Sequence, residues 1–318
     1  MGGLSAATGR LVPGVGEALS PLTEAEFERL RNMIYREAGI ALGPFKKDLL
    51  VARLRRRLRA TGSKSFSSYY RLVRGDSAER QRMLDCISTN ETRFFREPRQ
   101  FEFLEQRLLP HWRTIRGRRS PGLRVWSAGC STGEEPYSLA MLLLRVLPDW
   151  QNQILATDLS TEALSLARAA LWPIEKSAEI PSSYLRQFML RGTRSQNGWM
   201  KASPEIRSMV RFDQLNLHLD IAPNLGQFEL IFCRNVLIYF DGPSRLRAVD
   251  RLLDHLAPGG VLFLGHAESL SELTGRVSSV GPNAYVRATD DTFDTWLAAD
   301  RSSSKRVKRR LSVARGPS

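Results

Sequence analysis

Apolar positions recur with helical period over the first part of this chain and fall into short blocks beyond it. Thr23-Glu-Ala-Glu26 has capping-box spacing and leads into Phe27, Leu30 and Ile34, so a helix is predicted to start there. The next helix, Lys46 to Ala60, places Leu50, Val51, Leu54 and Leu58 in one stripe of about 100°. Further helices are expected around 66–74 and 78–88, which makes residues 21–88 a small helical domain. Residues 89–122 read as a polar linker and a helix from Phe101 to His111.

From Leu123 the pattern changes. The runs starting at Leu123, Gln153, Met209, Phe228 and Val261 are short and apolar, as buried strands require, and 284–287 supplies a late strand. Helical stretches separate them, from Glu134, from Ser160 to Ala170 and from Pro243 to Leu256. Alternation of this kind predicts an α/β, doubly wound sheet over residues 123–290, with its ligand crevice at the strand carboxyl ends. Residues 173–208 interrupt it, and Phe188-Met-Leu190 and Trp199-Met-Lys201 flank a turn that reads as a hairpin insertion.

Charge sharpens this picture in two places. The net charge is +14; Lys46–Arg59 carries seven basic residues and one acid, and Arg301–Ser318 seven basic residues and no acid. Arg53, Arg55, Arg56, Arg57 and Arg59 fill the polar arc of the second helix, which points to an acidic partner surface. Residues 291–318 are expected to be a basic disordered tail, and residues 1–20, rich in Gly, Ala and Pro, a disordered leader. Cys86, Cys130 and Cys233 have no CxxC pairing, and no apolar run reaches about eighteen residues, so a reduced, cytoplasmic protein without membrane insertion is expected.

The chemistry centres on Ser127-Ala-Gly-Cys-Ser-Thr-Gly-Glu-Glu-Pro136, where a strand breaks into a glycine turn and opens a helix. Neither GxGxxG nor GxxxxGK[ST] is present, so a dinucleotide or a phosphate cradle is disfavoured. The second strand ends in Asp158, and a carboxylate there suits both hydroxyls of a ribose. S-adenosylmethionine, with a ribose and adenine but no phosphate, fits that pattern. Asn90, Thr92 and Arg96 stand at even spacing, so an extended linker would project them to one side, over a cofactor. The four histidines lack metal-ligand spacing, and no metal is expected.

Over residues 22 to 288 the chain resembles the CheR family of chemotaxis methyltransferases, which esterify glutamate side chains of chemoreceptors. The stretches that carry the resemblance are Ser88-Thr-Asn-Glu-Thr-Arg-Phe-Phe-Arg96, Ser127-Ala-Gly-Cys-Ser-Thr-Gly-Glu-Glu-Pro-Tyr-Ser138, Ala156-Thr-Asp158, Phe232-Cys-Arg-Asn-Val-Leu-Ile-Tyr-Phe240 and Leu262-Phe-Leu-Gly-His266. It implies a helical domain joined to a seven-stranded methyltransferase domain with a small inserted β-subdomain. It also implies S-adenosylmethionine contacts from Asn90, Thr92, Arg96, Gly129, Glu134, Asp158, Asn216, Leu217, Arg234 and Asn235, with S-adenosylhomocysteine as product. Arg96 and Tyr239 are the expected groups for orienting the substrate carboxylate. Receptor helices would meet the arginine helix, and a receptor C-terminal peptide would add to the hairpin near Arg191, Gly192, Gly198 and Lys201; the expected state is a monomer. Lysine at 201 and Ala170 depart from the family's usual arginine and glycine. A glutamate with a pKa of about 4.3 is ionised at neutral pH and needs no general base. A nucleic-acid methyltransferase is the competing reading, invited by a pI near 10.3. It would need a proline-bearing loop or a Pro-Cys pair where this chain has Arg234-Asn-Val-Leu237. A relative that binds cofactor or receptor without turnover is the other alternative.

Overall fold

The computed structural model describes residues 20–118, 120–219, 225–268 and 275–289. The N-terminal leader up to residue 19 and the basic tail lie outside the described residues. Four helices form the first domain: α1 (Glu24–Ala38), α2 (Lys47–Ala60), α3 (Phe66–Gly75) and α4 (Ser77–Ile87). Thr23 and Glu26 close the reciprocal capping box that their spacing predicts. Phe27, Leu30, Leu50, Leu54, Leu58, Tyr69, Val73 and Met83 make the core, each fully buried.

The linker then enters α5 (Pro98–Phe103) and α6 (Leu109–Arg116), joined without a break by a widened π-type turn over Leu104–Leu108. Pro110 has no N–H for the turn before it, which accounts for the irregularity at that point.

Next come β1 (Arg124–Ala128), α7 (Glu134–Val146), β2 (Gln153–Asp158) and α8 (Thr161–Ala169). The insertion holds β3 (Leu171–Pro173), a 3₁₀ turn over Ile174–Glu179, α9 (Ser182–Phe188), β4 (Met189–Arg191), β5 (Trp199–Ala202) and α10 (Pro204–Ser208). The chain returns through β6 (Val210–Gln214), β7 (Phe228–Cys233), α11 (Gly242–Asp254), β8 (Leu256–Leu264), β9 (Val277–Gly281) and β10 (Ala284–Arg287). No described helix is long and apolar enough to cross a membrane.

The main sheet runs β6-β2-β1-β7-β8-β10-β9, parallel through β8 and antiparallel beyond it. Its strands read as continuous apolar runs because both faces are covered. Val125, Leu230, Phe232, Val261 and Phe263 join the core on the α7 side, while Trp126, Ile231, Cys233, Leu262 and Leu264 join that under α11. β9 was not foreseen; its alternation is weak, and it exists by pairing with β10. The insertion is a three-stranded sheet, β3-β5-β4, and it begins two residues earlier than expected, at Leu171. Ala170, just before it, is fully buried in a left-handed conformation (φ 52°), which explains physically why glycine suits the position better.

Glu26 shows how packing extends a local cap. Its carboxylate accepts from Thr23 and also from the N–H and hydroxyl of Ser67, 2.9 and 2.6 Å away, tying α1 to α3. Burial works to raise this carboxyl, but the hydrogen bonds from Ser67 and Thr23 outweigh it and hold the pKa at about 2, below its ordinary 4.5. A depressed folded-state pKa contributes stability above the ordinary value and loses it as pH falls through the folded one. Glu26→Gln should therefore be destabilised by about 1–2 kcal/mol at pH 7. In urea titrations the gap from the parent should narrow from pH 4.5 downward and close near pH 2; a gap independent of pH would contradict this.

Candidate active site

The carboxyl ends of β1, β2 and β7 open into one cleft, and the helical domain and linker form its other wall. Gly129 leaves β1 at φ 92°, and a Cβ there would stand 2.2 Å from Val236 Cγ2, so only glycine lets the two loops approach. The N–H groups of Gly129 and Cys130 both donate to the Thr157 carbonyl, 2.7 and 2.9 Å, pinning the turn to the end of β2. Ser131 N–H donates to Asp158 Oδ2 at 2.7 Å and Ser160 N–H to Oδ1 at 2.9 Å. Burial pushes the Asp158 carboxyl above its ordinary value, and these two backbone bonds oppose that rise. Each oxygen keeps lone-pair capacity toward the cleft that Asp158 lines.

Of the residues expected at the cofactor, Asn90, Thr92, Arg96, Gly129, Asp158, Asn216, Leu217, Arg234 and Asn235 line this cleft, as does Tyr239. Their side chains are not equally free. Asn216 Nδ2 donates to the Glu37 carbonyl at the end of α1, 2.6 Å away. Arg234 is buried: Nε donates to Glu135 Oε2 at 2.8 Å, and Nη1 to the Arg96 carbonyl at 2.6 Å and Gln100 Oε1 at 3.0 Å. Arg96 has its own Nη1 on the Glu91 carbonyl at 3.0 Å. The even spacing of Asn90, Thr92 and Arg96 is not that of one extended strand, because Phe95 and Glu97 on either side of Arg96 are left-handed (φ 49° and 59°).

Glu134 departs from its expected place. It is fully buried outside the cleft lining, with Oε2 accepting from Thr132 at 2.6 Å and Oε1 paired with Lys176. Its neighbour Glu135 lines the cleft instead and also accepts from Ser127 at 2.7 Å. Two adjacent glutamates at a helix start are equivalent in sequence, and only the rotation of α7 separates them.

Glu268 lies outside the sequence motifs yet belongs to the site. Its carboxylate accepts four backbone N–H groups, from Gly265 and from Asn235, Val236 and Leu237, at 2.6 to 3.0 Å. It thereby shapes the loop after β7, where Asn235 is left-handed (φ 60°). Burial pushes its carboxyl up and those bonds pull it down. The only signal in the sequence is an acid two residues beyond His266.

The arginine helix divides likewise. Arg57 makes a two-pronged pair with Glu79, which Tyr69 also donates to at 3.0 Å. Arg53 caps the end of α4 through the Ile87 and Ser88 carbonyls. Arg55, Arg56 and Arg59 remain exposed, with Arg56 3.7 Å from Glu162. Of the five arginines expected to face a partner, Arg53 and Arg57 are thus held within the helical domain, Arg56 is exposed beside Glu162, and Arg55 and Arg59 are exposed. In the insertion, Arg191 and Lys201 are exposed on β4 and β5, and β4 is an edge strand. Gly192 is required there, since a Cβ would meet the Gln196 carbonyl oxygen at 1.9 Å, and Gly198 closes the turn.

This cleft fits a nucleoside without phosphate. Asp158 lines it with an acceptor carboxylate held in place by backbone N–H groups, the Gly129 turn brings backbone close, and Asn235 Oδ1 is buried without a hydrogen-bond partner. Such a site at the carboxyl edge of this sheet is that of an S-adenosylmethionine-dependent methyltransferase. Residues 90–286 match the CheR methyltransferase SAM-binding domain, and residues 25–88 the CheR methyltransferase all-alpha domain. The chain is 37% identical over 268 residues to chemotaxis protein methyltransferase 2 of Pseudomonas aeruginosa, covering 84% of this chain and 94% of that one. It is 38% identical over 273 residues to the chemotaxis protein methyltransferase of Escherichia coli, covering 85% and 93%. The chain belongs to the CheR methyltransferase family, as the motifs indicated.

Asp158→Ala should weaken S-adenosylhomocysteine binding by about 1.5–3 kcal/mol, with Asp158→Asn between it and the parent. Unaltered affinity by calorimetry would take Asp158 out of the site.

Proposed function

We propose that this protein methylates glutamate side chains on the cytoplasmic helices of bacterial chemoreceptors, forming γ-methyl esters, and that it acts in the cytoplasm as a monomer. The observation that carries this reading is the make-up of the cleft. Among its described lining residues there is no histidine, cysteine or lysine. Of its three lining carboxylates, Asp158 is fixed by backbone N–H groups, Glu135 by Arg234 and Ser127, and Glu91 is exposed to solvent, where a carboxylate is only a weak base. An acceptor that is already an anion at neutral pH needs no base from the protein, whereas a hydroxyl or amine acceptor would.

When bound, S-adenosylmethionine supplies an electrophilic methyl group on a cationic sulfur. Asp158 would hold the ribose, and Asn90, Thr92, Asn216, Leu217 and Asn235 would bound the rest. Arg96 and Tyr239 would align the incoming carboxylate, by guanidinium and hydroxyl respectively. Ile40, Ile87, Leu217 and Phe240 give the cleft apolar walls that exclude water, which favours a step in which opposite charges cancel. Exposed Arg55, Arg56 and Arg59 would attract an acidic receptor helix, and the hairpin edge a receptor C-terminal peptide by strand addition.

Transfer of labelled methyl groups to receptor-containing membranes, released by mild base as an ester would be, tests the reading. Label in nucleic acid, or none in any receptor, would defeat it. In the same assay Tyr239→Phe should slow transfer several-fold without weakening S-adenosylhomocysteine binding, and added salt should lower the parent's rate by screening the arginines. An unaltered rate in Tyr239→Phe would leave the tyrosine a packing role.

Docking at the hairpin is separable from catalysis, because a tether raises local substrate concentration without touching the reacting groups. Arg191→Ala with Lys201→Ala should slow methylation of a receptor bearing its C-terminal tail and leave a tailless fragment unaffected. Equal slowing of both would refute a tether.

A further inference from the structure

The inserted subdomain reaches back to the linker that walls the cofactor cleft. Lys176, in the 3₁₀ turn after β3, donates to the Thr92 carbonyl at 3.1 Å and pairs with buried Glu134 at the start of α7. Three residues on, Glu179 Oε2 accepts the Phe94 N–H at 2.8 Å. Aromatic contacts follow the same line: Phe94 meets Trp172 of β3 edge-on at 5.0 Å, and Phe95 lies 5.0 Å from Tyr184 of α9. From the other side, Ser138 of α7 donates to the Glu134 carbonyl and accepts the Phe95 N–H. The 3₁₀ turn is itself tied to the hairpin, since Ile174 N–H donates to the Gly198 carbonyl at 2.9 Å.

Two features make this more than general packing. Thr92 and Arg96 line the cleft, and residues 92–95 between them have no regular secondary structure to fix their path. Phe95 is also left-handed, a conformation that a bulky residue holds only when its neighbours enforce it. The backbone groups at 92 and 94 both find their partners on the 3₁₀ turn, which sits outside the cleft lining.

We propose that Lys176 and Glu179 are positioning residues for the cofactor: the insertion acts as a strut that sets Thr92 and Arg96 against the cleft. The proposal rests on the cleft being the S-adenosylmethionine site. Neither side chain lines the cleft; each acts through the linker backbone. The insertion therefore serves the reaction even with its exposed face empty.

The test is calorimetric binding of S-adenosylhomocysteine to the full chain, well below the melting temperature, with stoichiometry as the check on folded fraction. Glu179→Ala removes the acceptor for Phe94 and should weaken binding about tenfold, the equivalent of one lost hydrogen bond. Glu179→Gln keeps an acceptor oxygen and should bind within about twofold of the parent, a rescue that a packing role would not require. Lys176→Met alone would leave Glu134 as a lone buried charge. The double variant Lys176→Met, Glu134→Gln avoids that, and measured against Glu134→Gln alone it isolates the Thr92 bond and should bind about tenfold more weakly. Parent-like affinity in Glu179→Ala, with the double variant no weaker than Glu134→Gln, overturns the strut, whatever their melting temperatures. Equal weakening in Glu179→Gln and Glu179→Ala overturns the hydrogen-bond assignment. Absence of binding by the parent would overturn the cofactor assignment and the proposal together.

Discussion

One buried guanidinium organises the floor of the cleft. Arg234 leaves the end of β7 with its side chain 1% exposed, and a charge so placed must be paired and hydrogen-bonded to be tolerated. Its partners come from three other segments: Glu135 on α7, Gln100 on α5 and the carbonyl of Arg96 in the linker. Phe101 and Phe232 sit beside it with ring centres 5.5 and 5.6 Å away, where the guanidinium meets aromatic faces rather than water. Because removing one partner from a buried pair costs about 3–5 kcal/mol, these segments hold their relative positions as a set. The floor of the cleft is thus tied together through one buried charge.

Around that floor, backbone groups rather than side chains do most of the shaping. The Thr157 carbonyl and Asp158 carboxylate fix the turn after β1, and Glu268 gathers three N–H groups of the loop after β7 and that of Gly265 after β8. The helical domain closes the remaining side by polar contacts in which side chains take part. Asp85 accepts from Thr161 at the start of α8, Asn216 donates to the end of α1, and Tyr35 donates to Asp241 at 2.8 Å. Ala41 N–H donates to the Tyr239 carbonyl, so the same backbone that carries Tyr239 holds the domain in place. Fold and binding surface are therefore made by shared bonds, and both domains line the cleft.

What the sequence determined by itself is everything encoded over one or two turns of chain. The capping box at Thr23, the stripe of α2, the strand runs at Gln153 and Phe228, and the Gly129 turn ending at a strand carboxylate were legible because side-chain period reports the face of a local element. The family motifs were legible for the same reason, being short runs of fixed order. What only the tertiary structure decided is which distant group each polar side chain meets. Arg57 looked free because its acid, Glu79, lies 22 residues away on α4. Glu134 and Glu135 differ only by a rotation of about 100° on α7, which sends one to Lys176 and the other to Arg234. β9 has too little alternation to announce itself and forms because β10 offers an edge. Local period fixes direction, but a buried charge or an unpaired strand finds its partner only when the chain has packed.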